Sequence, residues 1–465
     1  MNMINVRRLT VMTFLGAGML SGISAQVSPL QVDTLEETKI PDQWDLQSCI
    51  DYAKEQNITI RKNRITAVST QIDVKTAKAA MFPSLSFSTG QQVVNRPYQE
   101  TSSRVSGSEI ISSNSKTSYN GNYGLNASWT LYNGNKRLKT IQQEKLNNQM
   151  AELDVATSEN NIQESITQVY IQILYAAESV KVNENTLQVS IAQRDRGQEL
   201  LNAGSIAKSD LAQLEAQVST DRYQLVTAQA TLEDYKLQLK QLLELDGENE
   251  MNIYLPALSD ENVLAPLPTK RDVYISALSL RPEIEASKLN VEASELGINI
   301  AKSSYFPTIS LSAGIGTNHT SGSDFTFGEQ VKNGWNNSIG LSVSVPIFNN
   351  RQTKSAVQKA KLQYETSILS LLDEQKALYK TIESLWLDAN SAQQRYAAAN
   401  EKLKSTQISY ELISEQFNLG MKNTVELLTE KNNLLQAQQE QLQAKYMAIL
   451  NTQLLKFYQG DQLAL

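Results

Sequence analysis

The chain has 465 residues, a formal net charge of −7, one cysteine and one histidine. An acidic balance argues against a nucleic-acid partner, which requires a basic surface. A lone Cys49 forbids an internal disulfide, and with only His319 beside it no Cys/His metal cluster can be assembled. A Ser-His-Asp triad would have to use His319, which lies in the polar run NHTSGSDF and reads as a surface loop histidine. No catalytic residue, metal or cofactor is expected.

Taken in chain order, the N-terminus MNMINVRR carries two arginines, followed by an apolar run from Leu9 to Leu20 and the small residues SGISAQ. This is the layout of a secretory signal peptide over 1–25, cleaved near Ala25 with no lipid-accepting cysteine at the site. Beyond it no run reaches the ~18 apolar residues of a membrane helix. A helix is expected from about Leu46 to Met81, ending before Pro83, because the residue preceding a proline leaves the helical region. Its counterpart runs from about Arg271 to Tyr305 and ends before Pro307.

Four short segments alternate with a period of two. Leu85 and Phe87 alternate with Ser84, Ser86 and Ser88. Tyr123, Leu125, Ala127, Trp129 and Leu131 alternate with Gly124, Asn126, Ser128 and Thr130. Ile309, Leu311, Ala313 and Ile315 alternate with Ser310, Ser312, Gly314 and Gly316. The fourth is LSVSVPIFNN, 341–350, extended back to Ile339. The polar members are small and uncharged. A water-facing sheet packed on helices would carry Lys and Glu there; lumen-facing residues of a transmembrane barrel fit better, with the apolar set toward lipid and Trp129 and Tyr132 as an aromatic girdle. The stretches Asn95–Asn122 and Thr317–Asn336 are expected as long outer loops.

The segments repeat. AKAAMFPSLSFSTG (77–90) matches AKSSYFPTISLSAG (301–314), GLNASWTLYNGN (124–135) matches GLSVSVPIFNNR (340–351), and LLNAGSIAKSDL (200–211) matches QFNLGMKNTVEL (416–427), in the same order. The division is therefore 26–245 as a first repeat, 246–272 as a Pro/Asp-rich connection and 273–465 as a second repeat. Each repeat ends in long helices with coiled-coil spacing: Leu211, Leu214, Val218, Leu225, Leu232, Tyr235, Leu239 and Leu242 in one, Val425, Leu428, Leu435, Leu442, Tyr446 and Ile449 in the other. A helix from about Lys136 to Leu201 would be about 95 Å long, a pillar or tube wall.

Four strands cannot close, and lipid tolerates no open sheet edge. The chain must oligomerise, and small lumen residues favour three copies over two. The fold class is an α+β membrane protein: a trimeric, twelve-stranded transmembrane β-barrel continuous with a long helical coiled-coil barrel.

These residues resemble the TolC-like outer-membrane efflux proteins over nearly the whole mature chain. The resemblance rests on WDLQSCIDYAKEQN (44–57), on RPEIEASKLNVEASELGINIAKSSYFPTISLSAG (281–314), on the strand exits LYNGNK (131–136) and IFNNRQ (347–352), and on GMKNTVELLTEKNNLLQAQ (420–438). It implies a homotrimer in the outer membrane with a twelve-helix periplasmic tunnel, serving as the passive exit duct of a tripartite export system. The implied partners are a periplasmic adaptor, an inner-membrane pump reached through it, and outer-membrane lipid. By position the resemblance carries over Gly204 and Gly420 as hairpin tips that meet the adaptor, and Asp210 and Glu426 as acids near the constriction. Lys422 becomes a latch to Asp210. Phe417 and Thr429 stand where the family has a tyrosine and a second acid, so a weaker latch and less cation selectivity are expected. Asn423, Glu426 and Asp210 also read as ordinary helix caps. Two other readings of the whole chain are a secreted adhesive coiled-coil rod and a general diffusion porin.

Overall fold

The prolines and the strand-to-helix exits set the architecture. The computed structural model describes residues 41–98, 102–106, 109–113, 116–246, 251–256, 263–321, 323 and 325–463, with 102–106 and 109–113 described by backbone alone. The expected signal segment 1–25 lies outside the described residues. Residues Gln43–Leu465 make one compact unit.

Two short helices, α1 (Leu46–Gln56) and α2 (Ile58–Ala79), lead into strand β1 (Ser84–Asn95). The single helix expected over 46–81 is broken because Asn57 caps the second piece: its side-chain oxygen accepts from the Thr59 and Ile60 amides, and its own backbone is extended. A β2–β3 hairpin (Ser102–Ser106, Glu109–Ser113) sits inside the expected first loop, and β4 (Thr117–Asn133) returns. The long helix α3 (Lys136–Asn202) and α4 (Lys208–Leu242) form the first helical hairpin.

The second repeat follows the same order: α5 (Lys270–Leu280), α6 (Pro282–Lys302), a 3-10 turn at Ser303–Tyr305, β5 (Thr308–Thr320), a short α7 (Phe327–Asn333), β6 (Asn336–Ser344), α8 (Gln352–Asn418) and α9 (Thr424–Gln459). The helix expected over 271–305 also breaks, at Arg281. That residue precedes Pro282 and is held at φ −75°, ψ 122°. The second outer loop contains α7, closed by a reciprocal Thr326–Glu329 cap. The strand in 341–350 stops at Ser344, before Pro346. The proline lacks the N–H a ladder needs.

Helices α3 and α8 have 67 residues each, about 100 Å of rod. Their hairpins meet side by side, with α2 and α6 laid along the upper parts. The main core lies midway, where Trp44, Cys49, Ile50, Ile166, Tyr170 and Leu239 are buried together. There Trp44 forms an isolated parallel bridge with Ile253 of the inter-repeat connection, and the Tyr170 hydroxyl donates to the Tyr254 carbonyl at 2.6 Å. Of the expected heptad positions, Leu214, Val218, Leu239, Leu442, Tyr446 and Ile449 are buried. Val425 is exposed, because in the first turn of α9 the inward face is held by Thr424 and Leu427 instead, both buried.

Candidate functional site

Two regions carry the resemblance-based expectations: the sheet and the hairpin tips. The sheet has the order β1-β4-β5-β6, all antiparallel. Its register lines up chemistry across all four strands. Ser84, Ser128, Ser312 and Gly340 form one row, and Ser86, Asn126, Gly314 and Ser338 the row two residues on. Between them run Leu85, Ala127, Ala313 and Ile339. Since neighbours along a strand point to opposite faces, over these rows one face is apolar and the other small and polar, while towards the loop end Thr89, Gln91, Thr317 and Asn337 join the apolar face. Within the single chain the long helices leave the apolar face open: Phe87 is 68% exposed and Ile339 83%. Among the described residues, the helix with a substantial packing contact on a strand is the short α7, at β5. Among the described residues, strands β1 and β6 are the open edges of this sheet.

His319 is not in a loop, as its polar neighbours suggest, but at the end of β5. Its ring lies over Gly121, where a Cβ would come within 2.1 Å of it, and it packs among Tyr119, Tyr123 and Phe327. Three aromatic neighbours give it a packing role and hold no nucleophile against it.

The helix–strand junctions are built twice. After Pro83 and Pro307 the chain turns directly into β1 and β5. Phe306, before the second proline, is extended at φ −91°, ψ 157°. At the exits Gly134 and Asn135 adopt positive φ, as do Asn350 and Arg351. Gly134 is a close approach: a Cβ there would lie 2.6 Å from the Ser303 carbonyl oxygen and 2.9 Å from the Phe306 Cβ. So the exit of one repeat packs against the junction of the other. Arg137, which the sequence did not single out, seals the first junction by donating to the carbonyl oxygens of Ala80 (2.9 Å) and Thr130. The Trp129 indole N–H adds a bond to the Met81 carbonyl at 2.8 Å.

The two tips are copies of one turn. Gly204 (φ +75°) and Gly420 (φ +73°) follow the ends of α3 and α8. In the first, the Ser205 amide donates to Leu200 and the Gly204 amide to Leu201; in the second, Met421 donates to Gln416 and Gly420 to Phe417. This is the two-bond helix stop that glycine enables. Phe417, with no hydroxyl to bond, is buried just above the second tip.

The acids behave as caps. The Ala207 amide donates to the Asp210 carboxylate at 3.0 Å. Asn423 accepts from the Glu426 amide at 2.9 Å, and the Asn423 amide donates to Glu426 at 3.2 Å. Within this chain Lys422 reaches Glu426, at 2.5 Å, rather than the opposite hairpin. The Lys422 bond, then the Asn423 amide, hold the Glu426 carboxyl below its ordinary range. Thr429 turns its hydroxyl back to the Val425 carbonyl. Pattern reading missed a larger charge: Asp221 and Lys431, paired between the hairpins and almost wholly buried. Each looks from sequence like one more charge on a helix face.

A sheet with one greasy face, one wet face and two free edges, standing on rods of about 100 Å, defines a wall segment of a membrane-inserted conduit. The family model described as outer membrane efflux protein matches residues 49–244 and 273–460. The chain belongs to that family, which is one of outer-membrane channels and not of enzymes. It is 24% identical to the outer membrane efflux protein BepC of Brucella suis biovar 1, over 64% of this chain and 62% of that protein. It is 24% identical to the outer membrane protein TolC of Escherichia coli strain K12, over 61% of this chain and 58% of that protein. The alignments thus span about three fifths of these relatives. Among solved structures, CusC superposes with a TM-score of 0.75 at 18% identity, covering 90% of this chain and 92% of that one. VceC of Vibrio cholerae gives 0.73 at 15% identity, covering 90% and 97%. These likenesses establish the fold. Among the described residues no helix is long and apolar enough to cross a membrane.

Proposed function

We propose that three copies of this chain close into one barrel and one helical tunnel, forming the outer-membrane exit duct of a tripartite efflux or secretion system. The observation that carries this reading is the register: apolar and polar rows alternate across all four strands, and the edges β1 and β6 are unpaired. Lipid satisfies no backbone hydrogen bond, so those edges must be paired by neighbouring subunits. The polar rows of serine, glycine and asparagine then face a water-filled bore. A periplasmic adaptor meets the tips at Gly204 and Gly420, and an inner-membrane pump supplies the driving force. Relatives named as a toxin and drug export protein and an alkaline protease secretion protein favour export over general diffusion. The long helices favour it too, since a porin needs no such extension.

The division into repeats 26–245 and 273–465 around the connection 246–272 belongs to the same proposal; the doubled tips and junctions support it. So does a constriction at the tips, lined by Asp210 and Glu426. Lys422 would exchange its Glu426 partner for Asp210 when the end is closed. Because Glu426 competes for the lysine, that latch is weak. The test is conductance in planar bilayers. The purified protein should give discrete channel steps, and Lys422→Ala or Asp210→Ala should raise their size. Protein that inserts without conducting would overturn the duct. Wild-type-sized steps in both variants would overturn the latch.

A further inference from the structure

The buried Asp221–Lys431 pair lies where neither the barrel nor the tips require a charge. Its carboxylate is satisfied from three helices. Ser190 of α3 and Lys431 of α9 both donate to Asp221 Oδ2, and Gln217 of α4 donates to Oδ1 at 2.9 Å. Asp221 is 1% exposed and Lys431 3%. Asp221 and Ser190 belong to the first hairpin and Lys431 to the second, so the cluster fastens one hairpin to the other. Counting along the helices at 1.5 Å per residue, it stands about 20 Å above the start of α4 and about 10 Å above the start of α9.

The contacts around it differ in kind. On the tip side the hairpins meet through the neutral Gln193–Tyr410 contact at 2.8 Å, and level with the cluster through the exposed Gln217–Asn432 contact at 3.4 Å. The tip ion pair, Lys422–Glu426, joins two residues of the same hairpin. On the far side comes Ser179–Gln439 at 3.2 Å, and beyond it the main core. A neutral contact leaves no charge behind when its partners part. A buried carboxylate that loses its ammonium partner is left as an uncompensated charge, which makes its separation far costlier.

We infer that the Ser190–Asp221–Lys431 cluster is the fixed joint about which the hairpins part, so that the movable end of the tunnel is confined to the segments tipward of it. This rests on the duct reading, in which the tips move. Opening would then rearrange about 191–220 and about 410–430, since Ser409 faces Glu430 across the second hairpin, and leave the wall above unchanged. A latch, by contrast, would have to break on every opening, and burial makes this pair unsuited to that.

Hydrogen exchange on the detergent-solubilised full-length protein tests the joint. Amides tipward of the cluster should exchange at least about tenfold faster than those above it, with the step at Ser190, Asp221 and Lys431. Lys431→Met, or the milder Asp221→Asn, should carry the fast zone up to the Ser179–Gln439 level, and the exchanged pair Asp221→Lys with Lys431→Asp should bring it back. Protection without a step overturns the joint in the wild-type protein alone, whether or not any variant folds. A step that stays in place in both single variants also overturns it. Uniformly faster exchange along both hairpins would mean a merely structural pair and overturns it too. Conductance of the wild-type channel is read separately. Its absence would contradict the duct while the exchange step still decides whether the joint exists.

Discussion

At the residue scale the tips follow cap chemistry that short patterns express well. Asn423→Ala should cost about 1 kcal/mol of local stability by removing the acceptor for the Glu426 amide. Amide exchange in the first turn of α9 measures it. Glu426 is held below the ordinary carboxylate range, chiefly by Lys422. Its contribution is therefore complete above the unfolded value and lost as the pH falls through the lower folded one. The first turn of α9 should stay protected at neutral pH and loosen only once the pH falls below the ordinary carboxylate range. Lys422→Met should move that loss to higher pH; an unmoved transition would deny the lysine its role. Burial pushes the Cys49 thiol up to about 12. A thiol reagent should therefore label the native protein slowly and the denatured protein at once. These caps were legible because asparagine and a glutamate three residues on state their purpose locally. Asp221, Lys431 and Arg137 were not, since their partners lie far away in sequence or on backbone carbonyls.

At the element scale, periodicity in four short runs was enough to locate the strands, because alternation of period two has few other causes. Their ends were less legible. Register and Pro346 close β6 at Ser344, and Asn57 and Arg281 divide helices whose apolar pattern continues through the break. The face assignment makes a sharp prediction. Leu125→Lys, midway along β4 between Phe87 and Ile315, should cost about 2–4 kcal/mol and deplete assembled protein in the outer membrane, whereas Asn126→Lys should assemble nearly normally. Equal depletion, read by immunoblot of membrane fractions, would contradict the assignment. The glycines divide similarly. Gly204→Ala meets no atom within 4 Å and should cost only the left-handed backbone penalty of about 1–2 kcal/mol. Gly134→Ala adds a collision with the Ser303 carbonyl and should assemble less well than Gly204→Ala.

At the scale of the whole molecule, the duplication explains why one chain supplies matched strands, matched exits and matched tips, and why the two hairpins can nevertheless differ. The proposal of an oligomer rests on a physical prohibition: four strands leave two edges that lipid cannot satisfy. The number of copies depends on how wide a bore the small polar residues line, and a pattern within one chain states that only indirectly. The most direct test of the account is the native mass of the protein extracted from outer membranes in detergent. Three chains per particle, insoluble once detergent is withdrawn, is the predicted result. A monomer that stays dissolved without detergent would contradict the closed barrel and the duct built on it.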